Sequence, residues 1–140
     1  MVDTHYRKIL IATDGSENSM NAISTGIDFA KKTGADVYAV HVITTGSYYI
    51  TPNFFGVEKD NIKKSTTDYV EIVGNAKGIE VKSFILEGDP AEKIIDFARE
   101  NNINLVVMGT LGKSGIEKFL IGSVSEKVIR NSDSDVLIVP

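Results

Sequence analysis

A chain of 140 residues has the length of one ordinary domain and can bury a single core. Its 42% hydrophobic and 24% charged residues are a globular balance, its net charge of −4 argues against a nucleic-acid surface, and the lack of cysteine excludes disulfides and thiolate metal sites. No apolar run approaches the roughly 18 residues of a membrane span, and "MVDTHYRK" lacks the apolar stretch of a secretory signal, so a cytoplasmic protein with neither membrane nor nucleic-acid partners is expected.

In chain order, "KILIAT" (8–13) reads as a strand. Ser16 is the expected cap of a helix in which Ala22, Ile23, Gly26, Ile27 and Ala30 share one face, and Gly34 is its left-handed stop. "VYAVHVI" (37–43) is a second strand. Residues 58–77 have a helical pattern through Ile62, Tyr69 and Val73, ending near Gly78. "VKSFILE" (81–87) is a third strand. Asp89, Pro90 and Glu92 form a helix start in which the acid caps and proline takes the first position. "INLVVM" (103–108) is a fourth strand, "SVSEKVIRN" (123–131) a helix opening with S-x-x-E, and "VLIV" (136–139) a fifth strand.

Strands alternating with helices indicate an α/β fold: one domain over 1–140, with an open parallel five-stranded sheet covered on both faces. Central parallel strands are apolar on both faces. Ile9–Ala12 and Leu105–Met108 meet that demand, whereas Lys82 and Ser83 mark the third strand as an edge. The expected order is therefore 3-2-1-4-5, not the flavodoxin order 2-1-3-4-5. Ligands in such sheets bind beyond the carboxyl ends of the strands where the winding reverses. That point lies between strands 1 and 4, at "TDGSENS" (13–19) and the stretch from Gly109.

That stretch, "GTLGKSGIEKFLIGS" (109–123), contains the letters GKS. A Walker loop would require glycine at position 107, which is Val107 inside a strand, so the P-loop reading fails. Gly109 and Gly112 let the backbone turn and approach a ligand without Cβ obstruction, and exposed amides in such a turn attract anions. Gly122–Ser123 opens a helix whose first N–H groups lack partners and whose dipole favours negative charge. Ser123 either caps that helix or offers its hydroxyl to a ligand. Lys113 either adds a point charge or is solvated. Asp14, at the end of strand 1, is a turn residue, a ribose acceptor, or a carboxylate for a metal carried on phosphates.

The spacing of Gly109, Gly112, Gly122 and Ser123, G-x2-G-x9-G-S, resembles the nucleotide-binding motif of the universal stress protein family, in its ATP-binding branch. "ILIATDGSENS", "VHVI", "GDPAEKI" and the segment from "LVVMGT" onward resemble that family's other blocks, in the same order. The resemblance implies a Rossmann-like fold of the adenine nucleotide alpha hydrolase kind. It also implies ATP with Mg2+ or Mn2+, and a homodimer formed through strand 136–139. It sets Ala12, Thr13 and Val42 beside adenine and ribose, with Met108, Gly109, Gly122, Ser123 and Val124 lining the rest. The implied role is a nucleotide-responsive switch or scaffold in stress response, with slow hydrolysis at most.

A flavodoxin-like carrier of flavin mononucleotide is the alternative, since Tyr48, Tyr49, Phe54 and Phe55 are suited to stack on a ring. It leaves the glycine-rich loop after strand 4 without a purpose. A receiver domain needs a carboxylate pair where strand 1 ends in Thr13–Asp14. His5 reads as part of the N-terminal tail and His41 as a packed or hydrogen-bonded strand residue. No catalytic set of serine, histidine and aspartate emerges, so binding is expected rather than turnover. The aromatic loop 44–57 has no assigned role.

Overall fold

The computed structural model describes residues 5–14, 19–44, 57–110 and 121–140, with the backbone alone over 57–66. Five parallel strands, β1 (Lys8–Ala12), β2 (Asp36–Ile43), β3 (Val81–Glu87), β4 (Leu105–Gly109) and β5 (Asp135–Val139), alternate with α1 (Met20–Thr33), α2 (Val57–Ala76), α3 (Pro90–Glu100) and α4 (Ser123–Asn131). The strand order is β3-β2-β1-β4-β5, as composition indicated, and it sets aside the flavodoxin-like arrangement. β1 and β4 pair in the centre, with Ile9, Leu10 and Ile11 beside Leu105, Val106 and Val107.

The central strands are buried because both their faces are used. Ile9, Ile11, Leu105 and Val107 pack under α1 and α2, while Leu10 and Val106 join the cluster beneath α3 and α4. Removing a side chain of this size from water stabilises the fold by about 1.5–3 kcal/mol. β3 is less demanding: Lys82 and Phe84 are exposed, as suits an edge. The rings of Tyr38, Phe84 and Phe97 meet on the α3 side of that edge.

α1 buries the stripe expected of it, Ala22, Ile23, Gly26, Ile27 and Ala30. Gly26 marks a close approach, because a Cβ there would lie 2.8 Å from Ile11 Cδ1. Gly34 ends the helix at φ 74°, donating its N–H to Ala30 O. The start differs from expectation. α1 begins at Met20 after Ser19, so Ser16, which lies outside the described residues, is not its cap. Ser19 makes no side-chain cap bond either; its hydroxyl meets Thr13 Oγ1 at 3.0 Å. Tyr69 and Val73 of α2 pack on the core, while the side chain of Ile62 lies outside the described residues.

β4 also starts later than its β-branched sequence suggests. Asn102 adopts φ 55°, and the Ile103 N–H returns to Ala98 O at 2.9 Å, closing the end of α3. Asn104 then uses its side-chain oxygen to accept the N–H groups of Arg7 and Lys8, both at 2.8 Å. These two residues lock the α3–β4 turn to the start of β1, and the strand begins at Leu105. Among the described residues no helix is long and apolar enough to cross a membrane.

Candidate functional site

The carboxyl ends of β1 and β4 lie side by side where the winding reverses, and the two exits are built differently. At the end of β1 each polar group of Thr13 has a partner. Its N–H donates to Val40 O at 3.0 Å, its hydroxyl meets that of Ser19, and its carbonyl lies 2.9 Å from His41 Nδ1. Since a carbonyl only accepts, His41 carries its proton on Nδ1 in this bond. Thr13, Ser19 and His41 are all buried, so the bonds replace hydration those groups have lost. The segment leading to half-buried Asp14 is thereby fixed from three sides.

The exit of β4 is organised by α4. Gly122, extended at φ −70° and ψ 164°, is the N-cap residue and supplies no side chain to the helix end. Its N–H donates to Thr110 O at 2.7 Å, drawing the start of α4 against the end of β4. The first helical ladder bond runs from Glu126 N–H to Gly122 O at 2.9 Å. The N–H groups of Ser123, Val124 and Ser125 therefore lie ahead of the ladder, at the positive end of the helix dipole.

Ser123 is the first residue of the helix rather than its cap, and its side chain is exposed. The Glu126 carboxylate does not complete a capping box; it pairs with Arg130 at 3.0 Å. Ser125 was not singled out by the motif. It is buried, and its hydroxyl donates to Gly109 O at 2.8 Å, with Thr110 O at 3.2 Å. Its place one turn before Val128, on the buried stripe of α4, is the signal that marks it.

Ala12, Val42, Met108 and Val124 all face the α3–α4 side, in or against one apolar cluster. Met108 is 5% exposed, so its side chain is a core group. Val42, paired with Leu86 of β3, and Val124 are half-buried. Thr13 and Asp14 stand at the β1 exit, with Gly109 and Gly122 at the β4 exit. Gly112, Lys113 and most of the aromatic loop 44–57 lie outside the described residues. His5, far from this end, sits 3.5 Å from the Asp135 carboxylate. Among the described residues no three metal-ligating side chains gather.

The model for the universal stress protein family matches residues 5–140. A universal stress protein of Methanocaldococcus jannaschii is 36% identical over 143 residues, covering 96% of this chain and 82% of that protein. Among solved structures, a universal stress protein in complex with cAMP has a TM-score of 0.74 at 24% identity, over 98% of this chain and 99% of that one. The universal stress protein from Archaeoglobus fulgidus in complex with dAMP has a TM-score of 0.72 at 21% identity, over 98% of this chain and 100% of that one. These last two likenesses are of fold. With a family match over nearly its whole length and a relative above 30% identity, this chain belongs to the universal stress protein family.

Proposed function

We propose that the chain binds ATP in the crevice between the ends of β1 and β4 and acts as a nucleotide-responsive, homodimeric switch or scaffold in stress response, with hydrolysis slow at most. One observation carries this reading: the start of α4, capped by a glycine without a side chain, is tied to the end of β4 where the sheet reverses its winding. Backbone amides ahead of a helix ladder suit an anionic polyphosphate. The apolar group of Ala12, Val42, Met108 and Val124 suits the face of a purine, Met108 contributing its backbone. In this reading Asp14 accepts from a ribose hydroxyl or helps hold the Mg2+ or Mn2+ that arrives on the phosphates. The exposed hydroxyl of Ser123 meets a phosphate oxygen, and Gly112 and Lys113, outside the described residues, are assigned an amide and a positive charge from the sequence alone. Fold relatives solved with cAMP and dAMP make an adenine nucleotide the natural candidate.

The β5 edge of the sheet supports the dimer in this reading. Among the described residues β5 pairs with β4 on one side alone, and Val136, Leu137, Ile138 and Val139 are half-buried in the single chain. Pairing with β5 of a second copy covers an edge that soluble proteins seldom leave bare. Sedimentation at micromolar concentration should show a dimer, and a monomer contradicts this part.

Two measurements test the nucleotide reading. Denaturing the purified protein should release ATP, identified by mass spectrometry. Calorimetric titration with MgATP should give saturable binding, which Gly109→Leu with Gly122→Leu abolishes while the circular dichroism spectrum is kept. Absence of both released nucleotide and binding heat defeats the reading.

A further inference from the structure

We infer that Ser125 is a positioning residue that makes the β4 exit selective for anions, by holding the carbonyl group of Gly109 away from the ligand. The inference deepens the nucleotide reading and rests on it. A chain leaving a strand carries carbonyls as well as amides, and a carbonyl oxygen turned toward a phosphate repels it. At this exit two successive carbonyls receive donors from the start of α4. Thr110 O receives the Gly122 N–H at 2.7 Å, and Gly109 O receives the Ser125 hydroxyl at 2.8 Å. At 3.2 Å from the same hydroxyl, Thr110 O is a secondary acceptor for its single hydrogen.

Both donors come from the first turn of α4 or the residue before it. The helix whose first amides lie ahead of its ladder thus also engages the neighbouring negative dipoles. The Gly109–Thr110 peptide has no cis geometry, so drawing Gly109 C=O toward α4 turns the Thr110 N–H in the opposite sense. Ser125 is 4% exposed, which leaves its hydroxyl no solvent role in competition with this bond. Its task is electrostatic and local, and it needs no contact with the ligand.

A role of this kind separates phosphate recognition from base recognition. With Ser125→Ala, Gly109 O loses this donor and can face the anion. Affinity for ATP should fall about tenfold, the scale of a hydrogen bond beside a charged group, while affinity for adenosine is unchanged. Ser125→Thr keeps the hydroxyl and Ser125→Val keeps the shape without it, so this pair isolates the bond should Ser125→Ala fold poorly. Thr should restore the ratio of ATP to adenosine affinity and Val should not. Calorimetric titration of the full chain with each probe reads this ratio. Equal losses for ATP and adenosine, or equal ratios for the Thr and Val variants, overturn the inference and leave Ser125 a packing residue. A wild-type chain that binds neither probe defeats the nucleotide reading itself, an outcome distinct from either.

Discussion

α3 and α4 lie on the same face of the sheet and begin on the same backbone conformation, yet their amino ends are chemically opposite. α3 is capped by Asp89 at φ −73°, ψ 122°, whose carboxylate accepts the Glu92 N–H at 3.0 Å, and Pro90 removes one further donor at the first position. α4 is capped by Gly122 at φ −70°, ψ 164°, with no side chain to accept anything, and its first-turn acid Glu126 is drawn off by Arg130. In α3 the chain supplies the anion that a helix dipole favours. In α4 the cap residue, Gly122, supplies none. Two helices that fold by the same rule thus differ in whether the cap residue's own side chain meets the positive end.

The comparison is broken most directly by making α4 resemble α3. Gly122→Asp places a carboxylate on an extended backbone close to that of Asp89, where it can accept from the Ser125 N–H. Under the nucleotide reading, MgATP affinity should fall by roughly a hundredfold or more, since the new charge occupies the amides and repels phosphate. The free protein should gain a few tenths of a kcal/mol, because Asp is a slightly better cap than Gly. Lower affinity with equal or higher stability is a combination that simple damage does not produce. Unchanged MgATP affinity in calorimetry would show that the open end of α4 is not the phosphate seat.

The reverse change is milder. Asp89→Ala opens α3, and urea denaturation should report a loss of about 1 kcal/mol, the usual worth of a side-chain cap. MgATP affinity should stay within twofold, because an open helix end attracts a nucleotide only where the sheet provides a crevice. A gain of a second binding site in the Asp89→Ala titration would mean that an unfilled helix end is sufficient by itself, and the distinction drawn from topology would fail.

What the sequence made legible follows the range of the interactions. The Asp89–Pro90–Glu92 cap, the αL glycine at 34 and the apolar central strands are local or compositional, and the structure keeps them. The edge position of β3 was legible for the same reason, since Lys82 cannot be buried on a central strand. The misreadings are non-local. Ser16 and Ser19 are equally plausible caps by type; Ser19 borders α1, and its hydroxyl goes to Thr13 rather than to the helix end. Ile103 has the profile of a strand residue, but the turn that holds it is set by Asn104 bonding to residues 96 or more positions away. Ser125 was invisible to the glycine motif because its acceptor, Gly109 O, lies 16 residues earlier in the chain. The motif showed where a site should be; the bonds that shape its two exits became visible only with the fold.

The smallest effect comes from the opposite end of the sheet and tests whether the contrast between α3 and α4 is local. There the Tyr6 hydroxyl donates to Asp135 Oδ2 at 2.8 Å, and His5 Nε2 lies 3.5 Å from the same oxygen. This hydrogen bond, then burial and the carboxylate charge, holds the Tyr6 pKa above its ordinary value. A raised pKa means that the neutral phenol is favoured by folding. Its contribution is therefore complete below the unfolded value of about 10 and is lost as pH rises through the higher folded value. Denaturation midpoints of the wild type and Tyr6→Phe should differ most near neutral pH and converge as pH rises above the unfolded value and the phenol ionises. MgATP affinity should be the same in both, since Tyr6 and Asp135 stand at the amino ends of β1 and β5 while the amides of α4 stand at the carboxyl ends. A changed affinity in Tyr6→Phe would mean that the two ends of the sheet are coupled, and the chemistry of a helix start could then no longer be treated as a property of its own first turn.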